Sequence, residues 1–330
     1  MSHELCKASL PLVAENARCT PCLACGDDAS DLIEMLSLRQ QHLKYANGDG
    51  SVADNLDTAF GSQLDRYQIW RCSQCRLEFT EPALSPPERW YGELYRHLQL
   101  YPQARWEFAE VLAALNPGDV VFDYGCGSGE FLHSARDRVK RSAGFDFSKA
   151  AVQAASARGL KAHVLDLGGS SSVAQFRGQA NHIVAFHVLE HLSRPKATFE
   201  FAAAVAAPDA ALWIAVPSDR RPSRLYGEED SLDAPPHHLT RWTVAALEQI
   251  GTRSGWSLQR HSYEPIPERT AVWEATRRLP AFKFTNSMWR PMSWIARRAS
   301  ASGAWMTGLH RRMNISGFSM LACYRQSKPR

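Results

Sequence analysis

Val120-Val-Phe-Asp-Tyr-Gly-Cys-Gly-Ser-Gly-Glu-Phe131 is the stretch that decides the fold. It opens with a short apolar run, which predicts a buried strand, and it leads into a helical stretch that continues to Arg136. The glycines between them allow a sharp turn and let a ligand approach the backbone without Cβ atoms in the way. This strand, turn and helix therefore predict a ligand-binding loop at the carboxyl end of a strand.

Strand and helix signals alternate on both sides of this unit. Apolar residues at helical spacing precede it over 108–115, and further helices are expected to begin near Ser148, Pro195 and Thr243. Further strands are expected at 143–145, 163–165, 182–186, 211–216, 257–264 and 317–324. The alternation predicts an α/β fold, a seven-stranded Rossmann-like doubly wound sheet with helices on both faces.

Four segments together resemble the class I S-adenosylmethionine-dependent methyltransferase family. They are Val121-Phe-Asp-Tyr-Gly-Cys-Gly-Ser-Gly129, Gly144-Phe-Asp146, Phe186-His-Val-Leu-Glu-His-Leu192 and Pro236-His-His-Leu-Thr-Arg-Trp242. The spacing G-x-G-x-G departs from the G-x-G-x-x-G of dinucleotide-binding folds. Within the family, the chain is similar to a subgroup with a cysteine-rich N-terminal module and sugar or small-molecule acceptors.

The resemblance implies that the chain binds S-adenosylmethionine. It places the methionyl part at the glycine turn and the ribose at Asp146, a carboxylate that can accept from both ribose hydroxyls. It further places the adenine at Asp166, and the thioether side at Phe186 and His187. The complete set of expected cofactor residues is Asp123, Gly125, Gly127, Gly129, Asp146, Phe147, Asp166, Phe186 and His187.

Two Cys-x-x-Cys pairs precede this region, Cys22 with Cys25 and Cys72 with Cys75. Each resembles a zinc knuckle, and two knuckles complete a tetrahedral site that stabilises a small core. The sequence therefore predicts one structural zinc ion, although the separation of the pairs exceeds the usual ribbon spacing. Cys19 offers a competing pair with Cys22, but Pro21 lies between them. Such pairs in a chain without a signal-peptide pattern favour a reducing, cytoplasmic location.

Two groups of histidines are candidates for catalysis. His237 and His238 lie in a proline-rich loop after the fifth strand, and we expect one of them, with preference for His238, to act as a general base. The alternative is that one of the pair only orders the loop. His187, Glu190 and His191 form the second group. They are similar to a Glu-x-x-Glu-His segment that holds a divalent cation in some RNA and quinone-precursor methyltransferases, but His187 replaces the first glutamate, which disfavours a metal.

The charge distribution is asymmetric. After Glu274 the chain has no acidic residue and carries eleven lysines and arginines, although the net charge of the whole chain is only +4. This basic end indicates either an anionic partner or a solvated surface. Its apolar residues at helical spacing favour core packing or a lid over the acceptor pocket above contact with an anionic membrane.

These observations predict a zinc-binding module with a connecting helix over residues 1–100. They predict a methyltransferase domain over 101–330, with a basic aromatic insertion at about 266–315. The expected acceptor is a glycan or other small molecule, including phosphate-bearing or lipid-linked ones. The alternatives are an RNA methyltransferase, disfavoured because the N-terminal module is not notably basic, and a cofactor-binding scaffold without catalysis. No stretch has the length and hydrophobicity of a transmembrane segment.

Overall fold

The computed structural model of the protein describes residues 20–61, 64–97, 105–165, 171–228, 230–267, 270 and 315–327. Contacts divide the chain into two compact units. The larger unit comprises Met1–Pro217, Asp230–Ser262 and Leu321–Arg330, and the smaller unit comprises Ser218–Glu229 and Tyr263–Met320. All the candidate site residues discussed below belong to the larger unit.

The seven strands that the sequence predicts after residue 119 occur in the expected order, and the structure adds strands and helices in the N-terminal region that the sequence analysis did not predict. The strands are β1 (Ser30–Ser37), β2 (Arg66–Cys72), β3 (Glu78–Glu81), β4 (Val120–Tyr124), β5 (Arg141–Asp146), β6 (Ala162–Val164), β7 (Ala180–Phe186), β8 (Ala206–Pro217), β9 (Thr240–Arg241), β10 (Trp256–Tyr263) and β11 (Ser319–Gln326). The helices are α1 (Leu38–Tyr45), α2 (Gly50–Phe60), α3 (Glu88–His97), α4 (Trp106–Leu112), α5 (Glu130–Ala135), α6 (Lys149–Ala157), α7 (Ser171–Ala174), α8 (Lys196–Val205), α9 (Pro222–Tyr226) and α10 (Val244–Arg253). Short 3-10 turns form at Leu189–His191 and Ser231–Asp233.

A seven-stranded sheet has the order β10-β11-β8-β7-β4-β5-β6. The strand pairs from β8 through β7, β4 and β5 to β6 are all parallel. Along β4, Val121 packs in one apolar cluster with Phe131 of α5, whereas the Tyr124 ring lies 4.9 Å from Phe201 of α8. Successive side chains of a strand face opposite sides, so helices cover both faces of the sheet. The doubly wound α/β fold is confirmed.

Two of the expected helix starts have the hydrogen bonds of N-caps. The Ser148 hydroxyl oxygen accepts a hydrogen bond from the N–H of Ala151 at 3.1 Å, and the Thr243 hydroxyl oxygen accepts one from the N–H of Ala246 at 3.1 Å. Each satisfies an N–H group that has no partner within its own helix. These bonds fix where α6 and α10 begin, directly after the strands that carry the site.

A second sheet has the order β1-β2-β3-β9, and all its pairs are antiparallel. Its first three strands come from the N-terminal region, but β9 comes from the loop that carries His237 and His238, which is called the histidine loop below. The apolar cluster beside this sheet likewise includes one residue from that loop: Leu38, Tyr45, Leu56, Phe60, Tyr67, Trp90, Leu94 and Leu239. The N-terminal region and the histidine loop therefore share both a sheet and a core.

The smaller unit contains α9 and the residues around Ser316. Within it, the Ser218 and Ser316 hydroxyls are 2.6 Å apart, and the Arg220 guanidinium lies 3.9 Å from the centre of the Tyr263 ring. The expected basic aromatic insertion lies almost wholly outside the described residues. Among the helices that the structure describes, none combines the length and apolar character needed to cross a bilayer.

Candidate functional site

The glycine turn between β4 and α5 combines positive φ angles with close packing. Gly125 has φ 77°, and a Cβ there would lie 2.3 Å from a methyl carbon of Val188. Gly127 has φ 52°, and a Cβ there would meet nothing within 4 Å. The first glycine is therefore needed for the approach of Val188, whereas the second faces open space. Because that space adjoins the carboxyl end of β4, a ligand can approach the backbone there.

Asp146 ends β5 and binds the glycine turn. Its two carboxylate oxygens accept hydrogen bonds of 2.8 Å from the N–H groups of Gly127 and Ser148. Burial raises the pKa of Asp146, and these hydrogen bonds offset the increase only in part. The Phe147 ring, next along the chain, lies 5.7 Å from the ring of Tyr124. Asp166, the expected adenine residue, lies outside the described residues.

Asp123 places a second carboxyl group at the same edge of the sheet. Asp123 is buried, with 3% of its surface exposed. Burial, followed by the charge of nearby Asp146, raises the pKa of Asp123 to about 8. The buried carboxyl group of Asp123 and the partly buried one of Asp146 together fit a cationic ligand. S-adenosylmethionine carries both a sulfonium and an ammonium group, so this acidic site and the open side of Gly127 are compatible with it.

The expected thioether residues occupy different environments. The Phe186 ring packs 5.0 Å from the rings of Phe108 and Phe131, within the core. His187 has φ 55°, a left-handed conformation that is uncommon for residues other than glycine. Because of this conformation, the His187 side chain does not continue the side-chain alternation of β7. Its imidazole lies in an acidic environment instead of in the core.

His187 lies between two buried glutamates. Its Nε2 is 3.0 Å from Glu107 Oε1, and its Nδ1 is 3.2 Å from Glu190 Oε1. Burial alone would lower the pKa of His187, but the hydrogen bonds and charges of the glutamates outweigh it and raise the pKa. Burial would raise the pKa of each glutamate, yet the His187 hydrogen bond and charge hold both below the usual range. The three groups therefore form a buried charged network.

Glu107 is not among the site residues expected from the sequence. It lies on α4 four residues before Val111, and both side chains are buried on the same helix face. An acid at a position with apolar spacing is the signal that could have identified it.

Three further histidines cluster at the end of β7. The His237 and His238 ring centres are 4.5 Å apart, and each lies 4.8 Å from the ring centre of His191. The expected second group is thus divided, because His187 faces Glu190 while His191 faces the other histidines. One ring nitrogen of each clustered histidine lies within 4.8 Å of the others, a spacing that metal ligands also show.

Hydrogen bonds define the tautomer of each clustered imidazole. The Nδ1 of His191 is 2.6 Å from the His237 carbonyl oxygen, and the Nδ1 of His237 is 2.8 Å from the Leu232 carbonyl oxygen. The Nδ1 of His238 is 3.1 Å from Asp233 Oδ1. Because a carbonyl oxygen only accepts, and a carboxylate also accepts, Nδ1 is the donor in each ring. The neutral rings therefore carry their lone pairs on Nε2.

Burial keeps two of these imidazoles neutral. It lowers the pKa of His191 well below its ordinary value, and the charges of His238 and His237 act in the same direction. Burial also lowers the pKa of His237, although its hydrogen bond to the Leu232 carbonyl opposes the change. His191 and His237 are therefore mainly neutral at pH 7, each with one unprotonated ring nitrogen.

The histidine loop is attached to the turn after β7. The N–H of Leu239 donates to the Glu190 carbonyl at 2.7 Å, and the Thr240 hydroxyl donates to the Leu189 carbonyl at 3.4 Å. Val188, in the same turn, is the residue that packs against Gly125. The glycine turn and the histidine cluster therefore lie on either side of one short segment at the carboxyl edge of the sheet.

Half-buried tyrosines stand beside the histidine cluster. The Tyr91 ring of α3 lies 6.0 Å from the ring of His191, and the Tyr95 ring, one helical turn later, lies 6.4 Å from that of His237. Helix α3 thus provides aromatic surface next to the candidate base. Aromatic rings with a polar group are suited to binding a small ligand that has both apolar and hydroxyl surface.

The four expected cysteines come together. Cys22 Sγ is 3.5 Å from Cys75 Sγ, and Cys25 Sγ is 3.4 Å from Cys72 Sγ. All four sulfur atoms lie within 4.8 Å of one another. Four sulfurs at about 2.3 Å from one zinc ion would be about 3.8 Å apart, so the observed set fits such an ion. Cys19, the competing ligand, lies outside the described residues.

Comparison with known proteins agrees with this geometry. A family model described as "Methyltransferase domain" matches residues 94–261, which are 168 of the 330 residues. No curated protein matches the chain.

Several solved structures are similar in fold. A putative methyltransferase in complex with the Trm112 methyltransferase activator of Haloferax volcanii is 19% identical, covering 67% of this chain and 90% of that one, with a TM-score of 0.44. An S-adenosylmethionine-dependent methyltransferase from Archaeoglobus fulgidus is 15% identical, covering 66% and 94%, with a TM-score of 0.44. One from Mesorhizobium loti is 14% identical, covering 68% and 100%, with a TM-score of 0.43.

The family match extends from the last residues of α3 into β10 and includes the glycine turn, Asp123, Asp146 and the histidine loop. The chain belongs to the class I S-adenosylmethionine-dependent methyltransferases.

Proposed function

We propose that the protein transfers a methyl group to a sugar-containing or related small molecule, with His238 as the general base. The observation that carries this proposal is the contact of His238 Nδ1 with Asp233 Oδ1 at 3.1 Å, inside the loop attached at the carboxyl edge of the sheet. A carboxylate at Nδ1 leaves the lone pair on Nε2 and stabilises the imidazolium that forms after proton transfer. His237 has only a carbonyl oxygen at this position.

The residues around the site have separate roles in this reaction. When bound, the cofactor supplies an activated methyl group. Asp146, Asp123 and the glycine turn hold and orient its amino-acid and ribose parts, and we assign the adenine to Asp166 on family resemblance. His238 Nε2 takes the proton from the acceptor as it attacks, and Asp233 holds the ring in place.

The buried position of the histidines favours a small acceptor. Residue exposures are 7% for His237 and 6% for His238, so a reacting group must enter a narrow site. The tyrosines of α3 provide an aromatic wall there, which supports a glycan or similar molecule. The acceptor can also carry phosphate or lipid outside this site, in keeping with the basic end of the sequence.

We further propose that Cys22, Cys25, Cys72 and Cys75 hold one structural zinc ion within an N-terminal module of residues 1–100, followed by the methyltransferase domain. The four sulfur atoms have the spacing that supports this assignment. None of the described cysteines forms a disulfide, which suits a reducing compartment, and on that basis we place the protein in the cytoplasm.

Labelled S-adenosylmethionine and fractionated cell extract would identify the acceptor, and paired variants would then test the base. His238→Ala should lower kcat by about 10²–10⁴, while His237→Ala should have a weaker effect. The affinity of both variants for S-adenosylhomocysteine should match that of the wild type.

Near-wild-type turnover in both variants would contradict the assignment of the base. Labelling that disappears after ribonuclease treatment, and that falls steeply with salt, would instead identify an RNA methyltransferase.

A further inference from the structure

The backbone of the histidine loop is bound to the N-terminal sheet. Strand β9 pairs with β3, with Arg241 opposite Glu78 and Thr240 opposite Phe79. The N–H of Thr80 also donates to the Leu239 carbonyl at 3.0 Å. These contacts begin one residue after His238, so the N-terminal sheet fixes the backbone that carries the candidate base.

The same loop is joined to the second cysteine pair. The Thr243 hydroxyl donates to the Cys75 carbonyl at 2.7 Å while it also caps α10. Strand β3 begins three residues after Cys75. The segment between this knuckle and β3 is therefore short, and a change in the knuckle would be transmitted to β9 through the paired backbones.

Side chains continue this connection to the base. Arg241 Nε donates to the Asp233 carbonyl at 2.6 Å and lies 3.2 Å from Asp233 Oδ2. Its Nη1 lies 3.1 Å from Glu78 Oε2, and the other oxygen of Glu78 accepts hydrogen bonds of 3.0 and 2.7 Å from Arg71. The chain of contacts runs from the neutral His238 through Asp233, Arg241 and Glu78 to Arg71, and charges alternate from Asp233 onward.

Burial makes this chain of ion pairs sensitive to the loss of one member. Residue exposures are 4% for both Asp233 and Glu78, and the Arg241 side chain is 17% exposed. Removal of one partner from a buried charged network leaves the others with unmet hydrogen bonds, which forces them to reorient. Because Arg241 holds both the carbonyl and the carboxylate of Asp233, it controls which oxygen faces His238.

We propose that Arg241 is a positioning residue through which the cysteine-bearing N-terminal sheet sets the tautomer and orientation of His238. Glu78 fixes Arg241 from the sheet side, and Asp233 presents Oδ1 to the Nδ1–H of His238. The proton is thereby kept on Nδ1 and the lone pair on Nε2. The proposal rests on the proposed function only where it treats His238 as the base, because the hydrogen-bond order is a property of the protein without substrate.

Long-range ¹H–¹⁵N spectra of the full-length, zinc-loaded protein, labelled at histidine, would test the proposal without an acceptor. His238→Gln assigns the signals of His238. In the wild type, Nδ1 should be protonated and Nε2 unprotonated. Asp233→Asn should invert or mix the two tautomers, as replacing the carboxylate of a catalytic triad does. Arg241→Gln should mix them, and Arg241→Lys should restore part of the wild-type pattern.

Two controls separate this role from general stability. Arg194→Gln removes an exposed ion pair with Glu200 that is not part of the chain, and it should leave the His238 signals unchanged. Glu78→Gln keeps the shape of the side chain but weakens the hold on Arg241, so it should mix the tautomers even if Arg241→Gln fails to fold. With an identified acceptor, Arg241→Gln should lower kcat about 10- to 100-fold, with a smaller effect on KM.

The outcomes distinguish the two proposals. A single Nδ1–H tautomer of His238 in both the Arg241→Gln and Glu78→Gln proteins would overturn the positioning role, as would an equal change in Arg194→Gln. If the tautomer depends on Arg241 but His238→Ala retains turnover, the positioning role stands and the assignment of the base fails.

Discussion

Binding of the cofactor should release a proton from Asp123. In the free protein, burial and the charge of Asp146 raise the pKa of Asp123 to about 8. At pH 7 such a carboxyl group is therefore about 90% protonated. A bound ammonium or sulfonium group favours the ionised form and lowers this pKa. Because the ionised form binds better, affinity should rise with pH until the free-state pKa is reached.

The size of this effect follows from the strength of a charge-assisted contact. Stabilisation by about 2.7 kcal/mol would lower the pKa by about two units, to about 6. Binding at pH 7 would then release about 0.8 proton, and affinity would be about fivefold tighter at pH 7 than at pH 6. Calorimetry with S-adenosylhomocysteine in two buffers of different ionisation enthalpy measures the proton count directly.

Asp123→Asn provides the matched control, because the amide keeps the shape but cannot ionise. It should abolish most of the proton release and flatten the dependence of affinity on pH between 6 and 7. Wild-type binding that releases no proton, or an unchanged release in Asp123→Asn, would refute the assignment of a protonated Asp123 at the cofactor site.

Three other expectations concern the remaining parts of the site. Asp146→Ala should weaken S-adenosylhomocysteine binding several-fold to hundreds-fold, about 1–3 kcal/mol by calorimetry, and an unchanged affinity would reject its role. Metal analysis should find one zinc per chain and none in Cys72→Ser; zinc retained in that variant would point to the histidine cluster instead. Glu107→Gln should lower the pKa of His187, measured by NMR titration. Since the folded pKa of His187 is raised, its contribution to the free energy of unfolding is complete below about pH 6.5. This contribution declines as pH rises through the folded pKa. In Glu107→Gln, the free energy of unfolding should therefore change less with pH.

The elements predicted from the sequence are those that local patterns determine. The apolar run before Asp123 and the glycines after it predict the strand and turn, and Ser148 and Thr243 predict helix starts. Each signal lies within a few residues of the structure it forms. The expected position of the cofactor site follows because parallel strands place their carboxyl ends at one edge.

Contacts between distant segments could not be predicted in this way. The pairing of β3 with β9 joins Phe79 to Thr240, and the short β9 has no strand signal of its own. The same holds for the contact of Glu107 with His187, which joins residues 80 positions apart. In both cases the two residues are far apart in the sequence, and only the folded chain shows that they meet.

The pairing of β3 with β9 also has a consequence for the order of folding. Thr240 is synthesised 161 residues after Phe79, which at about 5–20 residues per second is a delay of about 8–30 s. During that interval β3 has one unpaired edge, and the cluster around Tyr67 and Trp90 lacks Leu239. The four proposed zinc ligands, Cys22, Cys25, Cys72 and Cys75, are synthesised before β9. A metal ion bound to them would stabilise the incomplete sheet until β9 leaves the ribosome. Zinc limitation should therefore reduce the yield of newly made protein more than it affects protein that has already folded.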